Sequence, residues 1–126
     1  MGQLRVDLAD FQGHHKYVHY SYFSVGNPST NYKLSVGDYT GTAGDSLHAI
    51  HNGMQFTTFD RANDRHTGSV NCAKQWRGAW WYENCHHSNL NGLYLSGASN
   101  GQGMRWKTFN LTNERYSLKW TEMKLK

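Results

Sequence analysis

Between Gln55 and about Gln102 the hydrophobic periodicity that marks helices and strands disappears, and glycine, asparagine, serine and aromatic residues take its place. An irregular run of that length inside a compact domain is usually either functional or unfolded. The Trp and Tyr side chains between Trp76 and Tyr94 argue against disorder, because disordered chains are poor in aromatics. The order must come from aromatic packing, a covalent cross-link or a bound ion.

The 126 residues suit one domain, 1–126, with a single core. Hydrophobic residues make up only 37% of the sequence while aromatics reach 14%, so the core is expected to rest on a few large side chains. On either side of the irregular run, periodicity returns. LRVDLADF from Leu4, HKYVHYSYFSV and YKLSVGDY are alternating or rich in β-branched and aromatic residues, which predicts three antiparallel strands before Tyr39. Phe11-Gln12-Gly13 and Gly26-Asn27-Pro28-Ser29 carry the turn residues between them. DSLHAIHNGM predicts a short helix capped by Asp45 or Ser46 and stopped by Gly53. RWKTFNLT and RYSLKWTEMKLK alternate again, and the last run is expected to close the sheet.

The formal charge of +4 is mild and its lysines and arginines are scattered, without the basic stripe that nucleic-acid binding requires. No stretch is apolar enough for a signal peptide or a membrane span, so no membrane insertion is expected and a secreted form would have shed its leader. Catalysis is not expected. Glu83 with Asp64, or His86 with Ser88, would supply a carboxylate pair or a base and nucleophile, but neither has a third orienting group. The histidine pairs His14-His15 and His86-His87 lack a second cluster to complete a zinc site. Asn110-Leu111-Thr112 is a glycosylation sequon. Cys72 and Cys85 leave a disulfide, free thiols or half a metal site open by count alone. The absence of CxxC favours the disulfide, which over a loop of this length stabilises by roughly 3 kcal/mol and implies an oxidising compartment.

GAWWYENCHHSNLNGLY at 78–94 closely resembles the fibrinogen C-terminal domain family, which includes fibrinogen chains, tenascins, angiopoietins, ficolins and tachylectins. YKLSVGDYTGTAGDSL at 32–47, GMQFTTFD at 53–60, NCA at 71–73 and SLKWTEMKLK at 117–126 agree with it in order. The resemblance implies an α+β fold, a twisted antiparallel sheet with short helices from about 4–54 and 104–126, plus a long irregular ligand-binding subdomain over about 55–103. Complete members are longer and begin with a further subdomain carrying its own disulfide. Without that portion, apolar surface on the central sheet is expected to be met by rearrangement, self-association or an engineered truncation.

The resemblance also implies a Cys72–Cys85 disulfide and a cis Asn84–Cys85 peptide that turns the N–H groups of Cys85 and His86 toward a ligand. His86 matches the histidine that follows this cysteine in the family, and Trp76 falls where acetyl-binding members often carry a tyrosine. An aromatic wall beside backbone donors suits an N-acetyl group, whose methyl needs apolar contact and whose carbonyl needs hydrogen bonds. Gln75 lies where fibrinogen chains use a polar residue to receive a peptide. Asn100 and Gly101 lie near the position of another aromatic and a small residue, and that aromatic is absent here. FDRAND at 59–64 corresponds to the family's calcium loop, with Ala62 in place of its middle aspartate. The expected Ca2+ ligands are Asp64 first, then Asp60, with carbonyls near His66 and Gly68. The function implied is a secreted, lectin-like, innate-immune module for acetylated or other glycans. The alternative is a module that binds a protein, peptide or receptor.

Overall fold

The computed structural model describes residues 2–64 and 71–126. The predicted strands form as β1 (Gly2–Ala9), β2 (His15–Val25) and β3 (Leu34–Gly41). A short helix α1 (His48–His51) follows, then α2 (Cys72–Trp76), the two-residue strands β4 (Ser88–Asn89) and β5 (Arg105–Trp106), and the final strand β6 (Trp120–Leu125). The main sheet is antiparallel in the order β3-β2-β1-β6, so the last run closes it against the first strand. Val6 sits opposite Val18 on one side and Met123 on the other. The ladder continues past β6, where Gln3 and Lys126 exchange backbone hydrogen bonds of 2.9 and 3.1 Å.

Alternation explains which face is buried. Leu4, Val6 and Leu8 of β1 point inward with Val18, Tyr20, Leu34 and Val36, and all are fully buried. Each such aliphatic group contributes about 1.5–3 kcal/mol on leaving water. On the opposite, polar face of β1, Gln3 and Arg5 are exposed and Asp7 is buried. Asp7 accepts from Arg5 Nη2 at 3.0 Å and lies 2.8 Å from Lys124 Nζ. The hydrogen bond from Arg5, with help from Lys124, holds the Asp7 carboxyl below the usual carboxylate range against the cost of burial.

The N-cap of α1 is Leu47, not Asp45 or Ser46; Asp45 lies just ahead of it, its Oδ1 accepting from Leu47 N and His48 N as well as from Tyr20 Oη. Ser46 instead bonds Thr108 across the molecule. The helix ends at the extended Asn52, and Gly53 follows with φ of 82° in the turn closed by Met54 N donating to His51 O at 3.1 Å.

Two expectations need correction. The apparently aperiodic stretch contains α2, whose five residues are too few to show a helical period. RWKTFNLT does not extend the main sheet. Only Arg105–Trp106 is strand, paired with Ser88–Asn89, and Lys107–Phe109 then forms a 3-10 turn. Lys107 N bonds His87 O at 2.8 Å in the irregular half and Thr108 N bonds Ser46 Oγ at 3.0 Å ahead of α1, so this segment bridges the two halves instead of joining the main sheet. Trp120 and Leu125 of β6 are 41% and 68% exposed. Among the described residues no helix is long and apolar enough to cross a membrane.

Candidate functional site

The aromatic run at 80–82 turns inward and fixes the irregular half to the sheet. Trp80 and Tyr82 are fully buried, and Trp81 meets Phe56 and Phe23 edge-on with centroids 5.3 and 6.3 Å apart. Trp81 Nε1 donates to Tyr32 O at 2.8 Å. Gly78 is obligatory just before the run, because a Cβ there would stand 2.7 Å from Tyr82 Oη and 2.8 Å from Asn89 Oδ1. The Tyr82 hydroxyl donates to Asn89 Oδ1, and Asn89 Nδ2 donates to Trp76 O at 3.0 Å. A buried polar relay therefore carries the position of Tyr82 to the backbone of Trp76.

Cys72 and Cys85 are joined, with Cα atoms 5.7 Å apart, and the Asn84–Cys85 peptide is cis. Directly beyond the disulfide, the backbone is held by His51. Its Nδ1–H donates to Trp81 O at 2.8 Å, so Nε2 is free to accept from His87 N and Ser88 N at 3.1 and 3.2 Å. Burial pushes the His51 imidazole down to about 4, which keeps this neutral tautomer in place.

Beside these supports lies a cavity of ≈ 320 Å³ lined by Trp76, Asn84, Cys85, His86, His87, Gly101, Arg105, Lys107 and Arg115. Trp76 is half-buried and stands perpendicular to the His86 ring, with centroids 5.0 Å apart. Gly101 closes against Trp76. Its φ is 80°, and a Cβ there would approach Trp76 Cζ3 to 2.8 Å. Arg105 Nη1 reaches His86 O at 2.6 Å and His86 Nδ1 at 3.1 Å. A guanidinium only donates, so Nδ1 is the acceptor and the proton of the neutral ring lies on Nε2. Burial, reinforced by the Arg105 charge, pushes His86 down to about 3. His86 Nε2 is buried without a hydrogen bond of acceptable geometry, although the Gly101 backbone is near enough to favour its protonated form.

Of the residues expected from the sequence, Trp76, Asn84, Cys85, His86 and Gly101 come together. Gln75 and Asn100 do not line the cavity. Both are exposed, and Gln102 links them, donating from Nε2 to Gln75 O and from its backbone N–H to Asn100 Oδ1, each at 2.9 Å. Sequence reasoning missed His51, Arg105, Lys107 and Arg115. A usable signal existed for two of them: Trp106 is buried, so alternation puts Arg105 and Lys107 on the face away from the core. The Ser88 hydroxyl is buried without a hydrogen bond, so it is not engaged by His86.

The acidic loop is already committed to its own geometry. Asp60 Oδ1 accepts from Thr58 Oγ1 at 2.6 Å, and Asp64 Oδ2 accepts from Cys72 N at 3.0 Å. His66 and Gly68 lie outside the described residues. Among the described residues, no group of three or more His, Cys, Asp or Glu gathers as a metal cluster. Ala62, between the two aspartates, supplies no side-chain oxygen to the loop.

An antiparallel sheet, few short helices and an irregular half pinned by one disulfide define a fibrinogen-like globular domain. The protein belongs to that family: the family model described as fibrinogen beta and gamma chains, C-terminal globular domain, matches residues 1–126. Fibrinogen C domain-containing protein 1 of Homo sapiens is 50% identical over 131 residues, covering 98% of this chain and 27% of that protein. Ryncolin-4 of Cerberus rynchops is 46% identical over 127 residues, covering 98% of this chain and 35% of that protein. Among solved structures, the fibrinogen-like globe domain of human ANGPTL2 superposes with a TM-score of 0.91 at 40% identity, over 99% of this chain and 57% of that one. Lamprey fibrin D-dimer, complexed with the peptide Gly-His-Arg-Pro-amide, does so with a TM-score of 0.86 at 33% identity, over 98% of this chain and 44% of that one. The protein thus spans about a third or less of these two curated relatives and about half of the two solved structures.

Proposed function

We propose that this protein is a non-enzymatic, lectin-like recognition module that binds acetylated carbohydrate in the cavity beside the Cys72–Cys85 disulfide. The observation that carries this reading is that Trp76 and the cis Asn84–Cys85 peptide line one cavity, with the neutral His86 ring packed edge-on against Trp76. That arrangement suits an acetamido group, with the carbonyl oxygen taking backbone N–H groups of Cys85 and His86 and the methyl resting on the aromatic wall. Trp76 and His86 are the contact residues, and Asn84, Cys85 and Gly101 shape the cup. The disulfide and the family suit an extracellular setting, and innate-immune recognition is the role proposed there. A single shallow site gains useful strength by repetition, so self-association or assembly through a longer protein belongs to the reading.

A second reading, peptide or receptor binding, is favoured by the likeness to a fibrin fragment in complex with a peptide. In it, Gln75 and Asn100 would contact a longer ligand from outside the cavity. Calcium is proposed as an accessory ion at Asp64, with Asp60 and the carbonyls near His66 and Gly68 in sequence as its further ligands.

A glycan array followed by competition with N-acetylglucosamine and with Gly-His-Arg-Pro-amide, each with and without calcium, separates these readings. Retention of acetylated glycans, reversed by the free sugar and reduced about tenfold or more in His86→Ala, is expected. Displacement by the peptide alone assigns the site to proteins. Binding and thermal stability both indifferent to calcium remove the ion from the proposal.

A further inference from the structure

The sequon Asn110-Leu111-Thr112 follows the 3-10 turn Lys107–Phe109 and lines a groove of ≈ 720 Å³ that shares no residue with the cavity beside the disulfide. Asn110 is partly exposed, and its Oδ1 accepts from Thr112 N at 3.2 Å, Thr112 Oγ1 at 2.8 Å and Asn113 N at 3.1 Å. Backbone N–H donors can meet only the carbonyl end of the amide, so its orientation is fixed and Nδ2 is the end left over. That nitrogen has no partner among the described residues. Asn113 anchors the turn, donating from Nδ2 to Ser99 Oγ at 2.7 Å.

The rest of the groove comes from the turn between β1 and β2. Asp10 Oδ1 accepts from Gln12 N and His14 N, each at 2.9 Å, and its Oδ2 takes His14 Nδ1–H at 2.7 Å. Lys16 ties this wall to the sequon's wall, Nζ donating to Phe109 O at 2.7 Å. The Gln12 amide and His14 Nε2 have no partner among the described residues, and both side chains are exposed. Leu111, inside the sequon, is 76% exposed. A pyranose ring has an apolar face of C–H groups and a rim of hydroxyls, which suits one aliphatic side chain beside free polar groups.

We propose that Asn110 carries an N-linked glycan whose innermost N-acetylglucosamine lies in this groove, with its ring against Leu111 and its polar groups toward Gln12 and His14. In the attachment step Nδ2 displaces the pyrophosphate at C1 of a lipid-linked oligosaccharide. The N–C1 bond forms, the C1–O bond breaks, the lipid pyrophosphate leaves with the bonding electrons, and one Nδ2 proton passes to a base of the transferase. Donor and transferase belong to the same oxidising secretory compartment that the disulfide requires. Gln12 and Asn110 meet only in the folded chain, so contacts made by the sugar stabilise the folded state over the unfolded one.

The test is expression of the chain through a eukaryotic secretory pathway behind a cleavable leader, with intact mass measured on secreted and retained protein before and after peptide-N-glycosidase. A glycan removed by the enzyme, and missing from both Asn110→Gln and Thr112→Ala, is expected. An unmodified Asn110 overturns the proposal. The seat of the sugar is read by trimming the glycan to a single N-acetylglucosamine and comparing it with the same chain made in a bacterial periplasm, which adds none. The trimmed form is expected to melt about 3 °C higher. In Gln12→Ala/Leu111→Ser, which keeps the sequon, that difference should vanish with occupancy unchanged. If this variant does not fold, amide hydrogen exchange across residues 10–16 of the unaltered chain decides, and slower exchange in the trimmed form supports the seat. Equal melting temperature and equal exchange in the two forms overturn it, since the sugar then points into solvent.

Discussion

His51 accepts two backbone N–H groups on one ring nitrogen and gives its single proton to Trp81 O from the other. Protonating it would replace an acceptor with a donor facing two donors. The folded imidazole titrates near 4 against an ordinary 6.5, so between those values the unfolded state binds the proton and the folded state does not. Stability is therefore full above about pH 6.5, falls as the pH drops toward about 4, and levels off below that. The contribution of His51 alone is on the order of 3 kcal/mol, and His86 acts in the same direction. Urea midpoints measured at about pH 7 and about pH 5 should differ accordingly, with the difference reduced in His51→Ala. A flat profile across that window would show that the loop does not depend on the neutral ring. Little of this was legible in the sequence. His86, Asn84 and Gly101 stand in or near a recognisable motif, whereas His51 is separated from its partners by thirty residues or more, and only tertiary packing selects it. Arg115 gave no signal either, because an exposed cation after a glutamate reads as ordinary surface.

At the level of elements, α2 is too short to persist by propensity, so its end groups matter. Asn71 Oδ1 accepts from Ala73 N and Lys74 N, while its Nδ2 donates to Thr58 O at 2.8 Å. One side group thus caps the helix carrying Cys72 and Trp76 and ties it to the neighbouring loop. Asn71→Ala is expected to lower unfolding stability by about 1–2 kcal/mol, read from a denaturant titration. It should also loosen Trp76, measurable as weaker acetyl-sugar binding. An unchanged midpoint would place the hold on α2 in the disulfide and the bonds from Asn89 and to Asp64. Strands were the legible elements, because one buried face imposes alternation over six or more residues, as in Leu4, Val6 and Leu8. β4 and β5 were not, since two residues carry no period and their pairing depends on contacts across the molecule.

For the molecule as a whole, the sheet supplies a rigid base and the irregular half is fastened to it by Trp80, Trp81, Tyr82, His51 and one covalent bridge. Opening that bridge with a reductant should reduce stability by roughly 3 kcal/mol, the loop-closure value for a span of this size. Sugar binding should weaken before the sheet unfolds, followed by calorimetry alongside circular dichroism. Equal stability in oxidised and reduced forms would mean that aromatic packing and the His51 hydrogen bonds organise the loop without the bridge. The exchange between Gln3 and Lys126 has a mechanical consequence. Gln3 and Lys126 form a rung at one end of the antiparallel ladder, so a pull that separates these two residues acts across the rungs and not along them. Such a pull would peel β6 from β1 one bond at a time, a low-force mode that begins far in sequence from the residues lining the cavity.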